Sequence, residues 1–286
     1  MKTKISIVLV ALLLITTSCS KKDKEVSFMT KDEAQASSKI DIANDDVSTI
    51  IEDQYDNIDS STLSSKNGEN TFSPCAVITR NPAFGTILTS GQTVTKTIDF
   101  GTGCDLTNGN HLSGKIIMTF VYQLSAASHT ITYTFDNFYH NYNKVEGTKT
   151  FTRTMTVATA ASPSHPIVVM NMDLTVTING VVHFRVGSRT REIIEGYTTP
   201  TFLDNVYRVT GSWTTIHPDA TVISDITTPL LVKMSCINTN KPLIVQGVIT
   251  FTKNNNTSTL DYGTGACDNL AVFTINGNSY DIHIGN

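Results

Sequence analysis

Residues 174–184 read "LTVTINGVVHF". Two runs of β-branched and apolar residues flank Asn179-Gly180, the pair that most readily supplies the two positive-φ positions of a type I′ turn. The stretch is therefore a β-hairpin, and Asn276-Gly277 makes a second one between "AVFTI" and "SYDIHI". Outward from the first hairpin the same period continues. In "GTKTFTRTMTV" (147–157) Thr alternates with Lys, Phe, Arg, Met and Val, the two-residue repeat of a strand. Threonine fills 44 of the 286 positions, most of them in this region, and suits a half-buried pleated surface.

Strands are predicted near 75–80, 93–100, 113–124, 129–140, 143–157, 167–178, 181–194, 205–216, 219–226, 229–236, 243–253, 257–262, 270–276 and 279–284, with no helical period between them. The fold class is all-β: an antiparallel β-sandwich or a stacked meander of many strands over 71–286, large enough to bury a core without a structural metal.

Before residue 70 the pattern differs. Thr30-Lys31-Asp32-Glu33 fits the capping box of a helix start. Ala36, Ile40, Ala43, Val47, Ile50, Ile51, Tyr55 and Ile58 then recur every three or four residues, which predicts an amphipathic helix over about 31–58. Asn44-Asp45-Asp46 is expected to divide it, because Asn and Asp compete for backbone hydrogen bonds. The stripe needs a partner, and the chain's own sheet is the expected one. "SSTLSSKNGEN" (60–70) reads as a flexible linker.

Residues 20–70 carry 12 acidic and 6 basic side chains, whereas 71–286 carries 13 of each. The acidity is thus assigned to a tether over 19–70 and the β domain is neutral. Without a Lys/Arg stripe it is a poor phosphate binder, so nucleic acid is not an expected partner.

Lys2 and Lys4 precede an apolar run from Ile5 to Ile15, too short to span a bilayer, and then Thr16, Thr17, Ser18 and Cys19. A basic start, an apolar core and small residues before a cysteine resemble a bacterial lipoprotein signal. That resemblance implies cleavage after residue 18, acylation of Cys19 and attachment to a membrane through several acyl chains. The expected location is the cell envelope, on the periplasmic or surface face of the outer membrane.

Cys75, Cys104, Cys236 and Cys267 remain, an even number in an exported chain. "TIDFGTGCD" (97–105) and "TLDYGTGACD" (259–268) are nearly the same phrase. Each ends on a cysteine that follows another by 29 or 31 positions. Of the three possible connectivities, the repeat favours Cys75 with Cys104 and Cys236 with Cys267. Asp99, Asp105, Asp261 and Asp268 in these phrases are turn-capping carboxylates or, in a weaker reading, calcium ligands.

No local catalytic motif is present. The seven histidines, at 111, 129, 140, 165, 183, 217 and 283, show no metal-ligand spacing, and there is no G-x-S-x-G elbow. No catalytic residue, metal or cofactor is therefore assigned. Glu192 and Glu195 fall on opposite faces of a strand. Arg189 and Arg191 share one face and either hold an anion or act as solvated edge charges. Phe138, Tyr139 and Tyr142 in "TFDNFYHNYN" lie near a turn, where aromatic side chains form a platform for sugars or peptides or else cover a sheet end.

"TIDFGTGC", "SGKIIMTF" (113–120), "TYTFDNFYHNYNKVEGTKT" (132–150), "TTPLLVKMSC" (227–236) and "LDYGTGACDNLAVFTINGNSYDI" (260–282) resemble a family of uncharacterised lipoproteins of the Bacteroidota. The resemblance implies envelope location and β-architecture and carries no activity; "HNYN" (140–143) departs from it where a tight Asn-Gly turn is expected. The function expected is a non-catalytic, lipid-anchored binding or structural module whose partner is a glycan or an envelope protein. The alternative is a glycan-active enzyme with carboxylates assembled from separate strands.

Overall fold

The computed structural model describes residues 28–59, 63–64, 71–73, 75–123, 125–160, 162–199, 201–218 and 220–285. The stretch read as a lipoprotein-like signal, Cys19 and most of the 60–70 stretch read as a linker lie outside them. One helix, α1 (Lys31–Asp56), comes first, then a short ribbon of β1 (Leu63–Ser64) with β2 (Thr71–Ser73). The strands that follow are β3 (Val77–Asn81), β4 (Gln92–Asp99), β5 (Cys104–Asp105), β6 (His111–Tyr122), β7 (Ser128–His140), β8 (Asn143–Met155), β9 (Pro166–Ile178) and β10 (Val181–Glu195). They continue as β11 (Val206–His217), β12 (Ala220–Lys233), β13 (Ile244–Lys253), β14 (Asn256–Thr264), β15 (Leu270–Ile275) and β16 (Asn278–His283).

These strands pair antiparallel with their neighbours in chain order, from β3 at one edge to β16 at the other, with β5 added beside β6. The all-β architecture is thus a single meander. Asn179-Gly180 and Asn276-Gly277 take positive φ at both positions, as their hairpins require. The turn at Asn141-Tyr142 does the same with φ of 47° and 64°, so a tyrosine occupies the place where glycine is expected. The segments predicted at 219–226 and 229–236 join in one strand, β12, which bulges around Thr227–Pro229, keeps its pairing with β13 and ends at Lys233; Met234–Thr239, with Cys236, form a short 3-10 helix where strand was expected. A glycine opposite permits the bulge: a Cβ on Gly247 would lie 2.4 Å from the Pro229 carbonyl oxygen.

The capping box forms as read, with Thr30 Oγ1 accepting from Glu33 N and Glu33 accepting from Thr30 N. The helix does not break at Asn44–Asp46. Their side chains reach the sheet instead of competing for their own backbone: Asn44 accepts from Lys149, and Asp46 accepts from Asn108 and Asn110 at 2.8 and 2.7 Å. Nor is α1 a tether. Ile40, Val47, Ile50 and Ile51 belong to one hydrophobic core with strands from both halves of the sheet. Lys96 on β4 donates to the Gln54 and Asn57 carbonyls at the helix end, while Gln35 near its start donates to His283 O on β16. The sheet therefore curls round the helix until elements near both edges touch it, and the helix axis follows the central strands.

Both disulfides have the expected pairing, Cys75–Cys104 and Cys236–Cys267. The repeated phrases place equivalent aromatics, Phe100 and Tyr262, inside the core. Asp99 and Asp261 cap their glycine turns, accepting from Gly101 N and Gly263 N at 2.8 Å.

Candidate functional site

The face of the sheet that meets α1 is lined with cations. On β10 the period of two turns His183, Arg185, Arg189 and Arg191 inward, and β8 adds Lys149. The helix answers with carboxylates. Asp41, fully buried, accepts from Arg185 Nη1 at 2.6 Å, from Arg189 Nη2 and from Tyr262 Oη at 3.3 Å. Asp46 meets His140 Nε2 at 2.8 Å.

Farther along, Arg191 is held less closely, 3.6 Å from Asp45 and 3.5 Å from Glu52, and donates to Thr49 Oγ1 at 3.1 Å. Burial raises the pKa of both Asp45 and Glu52, and Arg191 offsets only part of that. Burial likewise drives Lys149 well below its ordinary value, with Arg189 adding repulsion. Gly187 makes the seam possible: it lies opposite Trp213, and a Cβ there would sit 2.5 Å from the Trp213 backbone. Trp213 thus seats between two guanidiniums, its ring 5.1 Å from Arg185 and 4.0 Å from Arg189.

Two cavities open at the ends of this seam. The one at the helix start measures about 440 Å³ and is lined by Asp32, Glu33, Lys39, Asn179, His183 and His217 among others. His183 and His217, cross-strand neighbours on β10 and β11, share a hydrogen bond between their Nδ1 atoms at 2.7 Å. One ring must donate and the other accept, so the two rings cannot both be protonated. Burial, then the neighbouring imidazole, lowers His183 to about 4, and burial lowers His217. Glu33 forms the wall opposite. Burial pulls its pKa up, but hydrogen bonds from Lys253 Nζ and Thr30 N outweigh this and leave it lowered.

The cavity at the helix end holds about 90 Å³, among Glu52, Asp53, Asp56, Arg153, Phe202 and Tyr207. Burial raises Asp53 to about 7, while Asp56 pairs with Arg153 at 2.7 Å.

A third grouping has the look of a nucleophilic triad. Ser162 Oγ lies 3.4 Å from His165 Nδ1, and His165 Nε2 lies 3.0 Å from Glu192. The hydrogen bonds decide against that chemistry. Nδ1 already donates to the Pro163 carbonyl at 2.8 Å and Nε2 faces a carboxylate, so the ring has no lone pair with which to deprotonate the serine. Its pKa is accordingly raised, first by the Glu192 hydrogen bond.

The aromatic residues chosen from sequence are not brought together. Phe138 is fully buried against Phe100 and Phe135, because the irregular register between Thr134 and Phe138 turns it inward. Tyr139 is half-buried. Tyr142 is exposed, stacked on His111 with ring centres 5.1 Å apart, and His111 Nδ1 is 2.6 Å from Asp105. Arg189 and Arg191 are not edge charges. They are buried and do hold anions, but the anions are this chain's own carboxylates.

The seam was missed, although its signal is in the sequence: Asp41, Asp45, Thr49 and Glu52 recur along one helix face, opposite a β10 strand with arginine at alternate positions. Among the described residues no group of three or more His, Cys, Asp and Glu is placed to hold a metal ion, and no helix is long and apolar enough to cross a membrane. No family model, curated protein or solved structure matches the chain.

Proposed function

We propose that this is a lipid-anchored protein of the cell envelope, attached at the outer membrane through Cys19, whose β domain is a non-catalytic binding or structural module for a glycan or envelope protein. The observation that carries the reading is the filled interior. A curled sheet lined with Arg185, Arg189, Arg191 and Lys149 would make an anion-binding trough if it were open, and here its charges are engaged by α1. Recognition then falls to the outer surface and to the cavity at the helix start, whose volume lies within the range of small-ligand sites. The resemblance to Bacteroidota lipoproteins and the lipoprotein-like signal around Cys19 support the envelope location.

The glycan-active alternative draws on the cavity at the helix end, where a carboxyl with a pKa of about 7 sits near a second one, Asp56, which pairs with Arg153. At about 90 Å³ it accommodates a few water molecules and no sugar ring.

The test uses the full chain in two arms. Fractionation of Cys19→Ala against the native chain tests attachment, with release into the soluble fraction expected; a variant that stays on membranes after a high-salt wash ends the anchor reading. Glycan and envelope-protein capture tests the module. Glycan hydrolysis that disappears in Asp53→Asn would replace the module with an enzyme.

A further inference from the structure

The outer face of the sheet, opposite α1, carries an apolar surface where its neighbours are mostly threonine. Phe184 (50% exposed) pairs directly across from Ile216 (48%), Val186 (54%) pairs with Thr214, and Thr214 pairs with Ile223 (48%). Val182 extends the surface toward the Asn179-Gly180 turn. In the other direction it stops at carboxylates: Asp173 lies across from Val186, and Asp225 follows Ile223 on the same face. The apolar area is therefore concentrated toward one rim of the sheet, the rim with the β9–β10 and β11–β12 turns.

The helix begins at that same rim. Asp32, Glu33 and Gln35, in its first turns, share a cavity with Ile178, Asn179, Val181, His217 and Pro218. From Phe28, where the described chain starts, Cys19 is nine residues away, and nine residues reach no farther than about 30 Å even when fully extended. An acyl chain on Cys19 would thus hold Phe28, at the helix start, within about 30 Å of a bilayer. Tethering at that range raises the effective concentration of the bilayer so far that a weak apolar contact becomes occupied.

We propose that the surface formed by Val182, Phe184, Val186, Ile216 and Ile223 is a membrane-contact face, which lies shallowly on the lipid bilayer and fixes the orientation of the domain above it. The proposal rests on the acylation of Cys19 argued above. The bilayer supplies the low-polarity surface that these side chains lack, while Asp173 and Asp225 set the depth, since a carboxylate does not enter hydrocarbon without large cost. The orientation that results points the opposite rim, with the cavity at the helix end, away from the membrane.

The experiment places a single added tryptophan in the full acylated chain, reconstituted in vesicles containing brominated phosphatidylcholine. Ile216→Trp reports on the face. Val121→Trp, exposed at the far end of β6, reports on the opposite rim. The native Trp213 is buried and gives the same background in both. The urea midpoint of each variant is required to match the native chain, so that misfolding is not read as a result.

Quenching of the added emission by about twofold or more at 216, with little or none at 121, supports the contact. Equal quenching at both sites, or none at 216, overturns it. A concentration-dependent blue shift at 216 without quenching overturns it in favour of a second copy of the chain. Mass spectrometry of the Cys19 peptide separates the two levels: an unacylated cysteine removes both the anchor and this proposal, whereas acylation without selective quenching removes this proposal alone.

Discussion

Replacing Asp41 by asparagine tests the seam at its tightest point. The carboxylate sits at zero exposure and receives two guanidiniums and the Tyr262 hydroxyl. The amide keeps one acceptor oxygen of similar shape and removes the charge, leaving Arg185 and Arg189 cationic in a site that water does not reach. Breaking a buried pair from one side costs about 3–5 kcal/mol. With a urea dependence of roughly 2 kcal/mol per molar, the midpoint should fall by about 1.5–2.5 M.

The single tryptophan is the natural probe, since both arginines lie over its ring. Because the pair is buried, 1 M salt should leave the difference between native and variant nearly unchanged. Glu52→Gln is the internal comparison: its oxygen is 3.5 Å from Arg191 and its carboxyl is already pushed toward the neutral form, so its loss should cost much less. An Asp41→Asn cost below about 1 kcal/mol, or one equal to that of Glu52→Gln, would refute the reasoning, because it would mean that the seam is hydrated. Asp41→Leu combined with Arg185→Met and Arg189→Met should recover much of the loss, as apolar replacement of whole buried ion groups often does.

Further outcomes are expected from other parts of the molecule. Asp53 keeps its proton to about pH 7 in the fold but loses it near its ordinary 3.8 when unfolded, so its share of stability is lost as pH rises through that window; Asp53→Asn should abolish up to about 4 kcal/mol of this slope in urea titrations at pH 4 to 8. His183, lowered to about 4, acts in the opposite sense: the unfolded chain takes up its proton first as pH falls below 6.5, and His183→Gln should remove that acid-side loss from the same titrations. Phe138→Ala should cost about 3–5 kcal/mol in the same unfolding assay, while Tyr142→Ala, at an exposed turn, should cost little and is the variant that tests glycan capture. Removing the Cys75–Cys104 bridge should lower stability by about 3–4 kcal/mol on the chain-entropy estimate, and non-reducing peptide mapping should recover Cys75 with Cys104 and Cys236 with Cys267.

Local rules carried the reading of the strands. Alternation in 147–157, the Asn-Gly turns and the capping box at Thr30 each act within a few residues, and each is present as expected. The paired cysteines were legible for a related reason, since the repeated glycine phrase marks equivalent bends. The seam was not, because its partners lie far apart in the chain: Asp41 meets Arg189 across 148 positions and Lys149 meets Asn44 across 105. A polar run such as Asn44–Asp46 has one meaning on an exposed helix and another inside a sheet, and only the tertiary partner decides which. Phe138 failed for the same kind of reason, as an irregularity between β7 and β8 reversed the face that simple alternation assigned to it.

The order in which this architecture can be assembled follows from where the helix lies in the chain. α1 precedes every strand, yet its side chain at Gln35 is met by His283 of the final strand, 248 positions later. During synthesis the helix emerges with its carboxylates long before the β8 and β10 cations that meet them in the fold. Each hairpin can form as it arrives, but the trough they build has its charges satisfied only once the sheet has closed round a segment made long before. Such distant pairing slows folding and exposes a half-built intermediate. A chain that stops before β16 lacks the strand whose backbone meets the helix start.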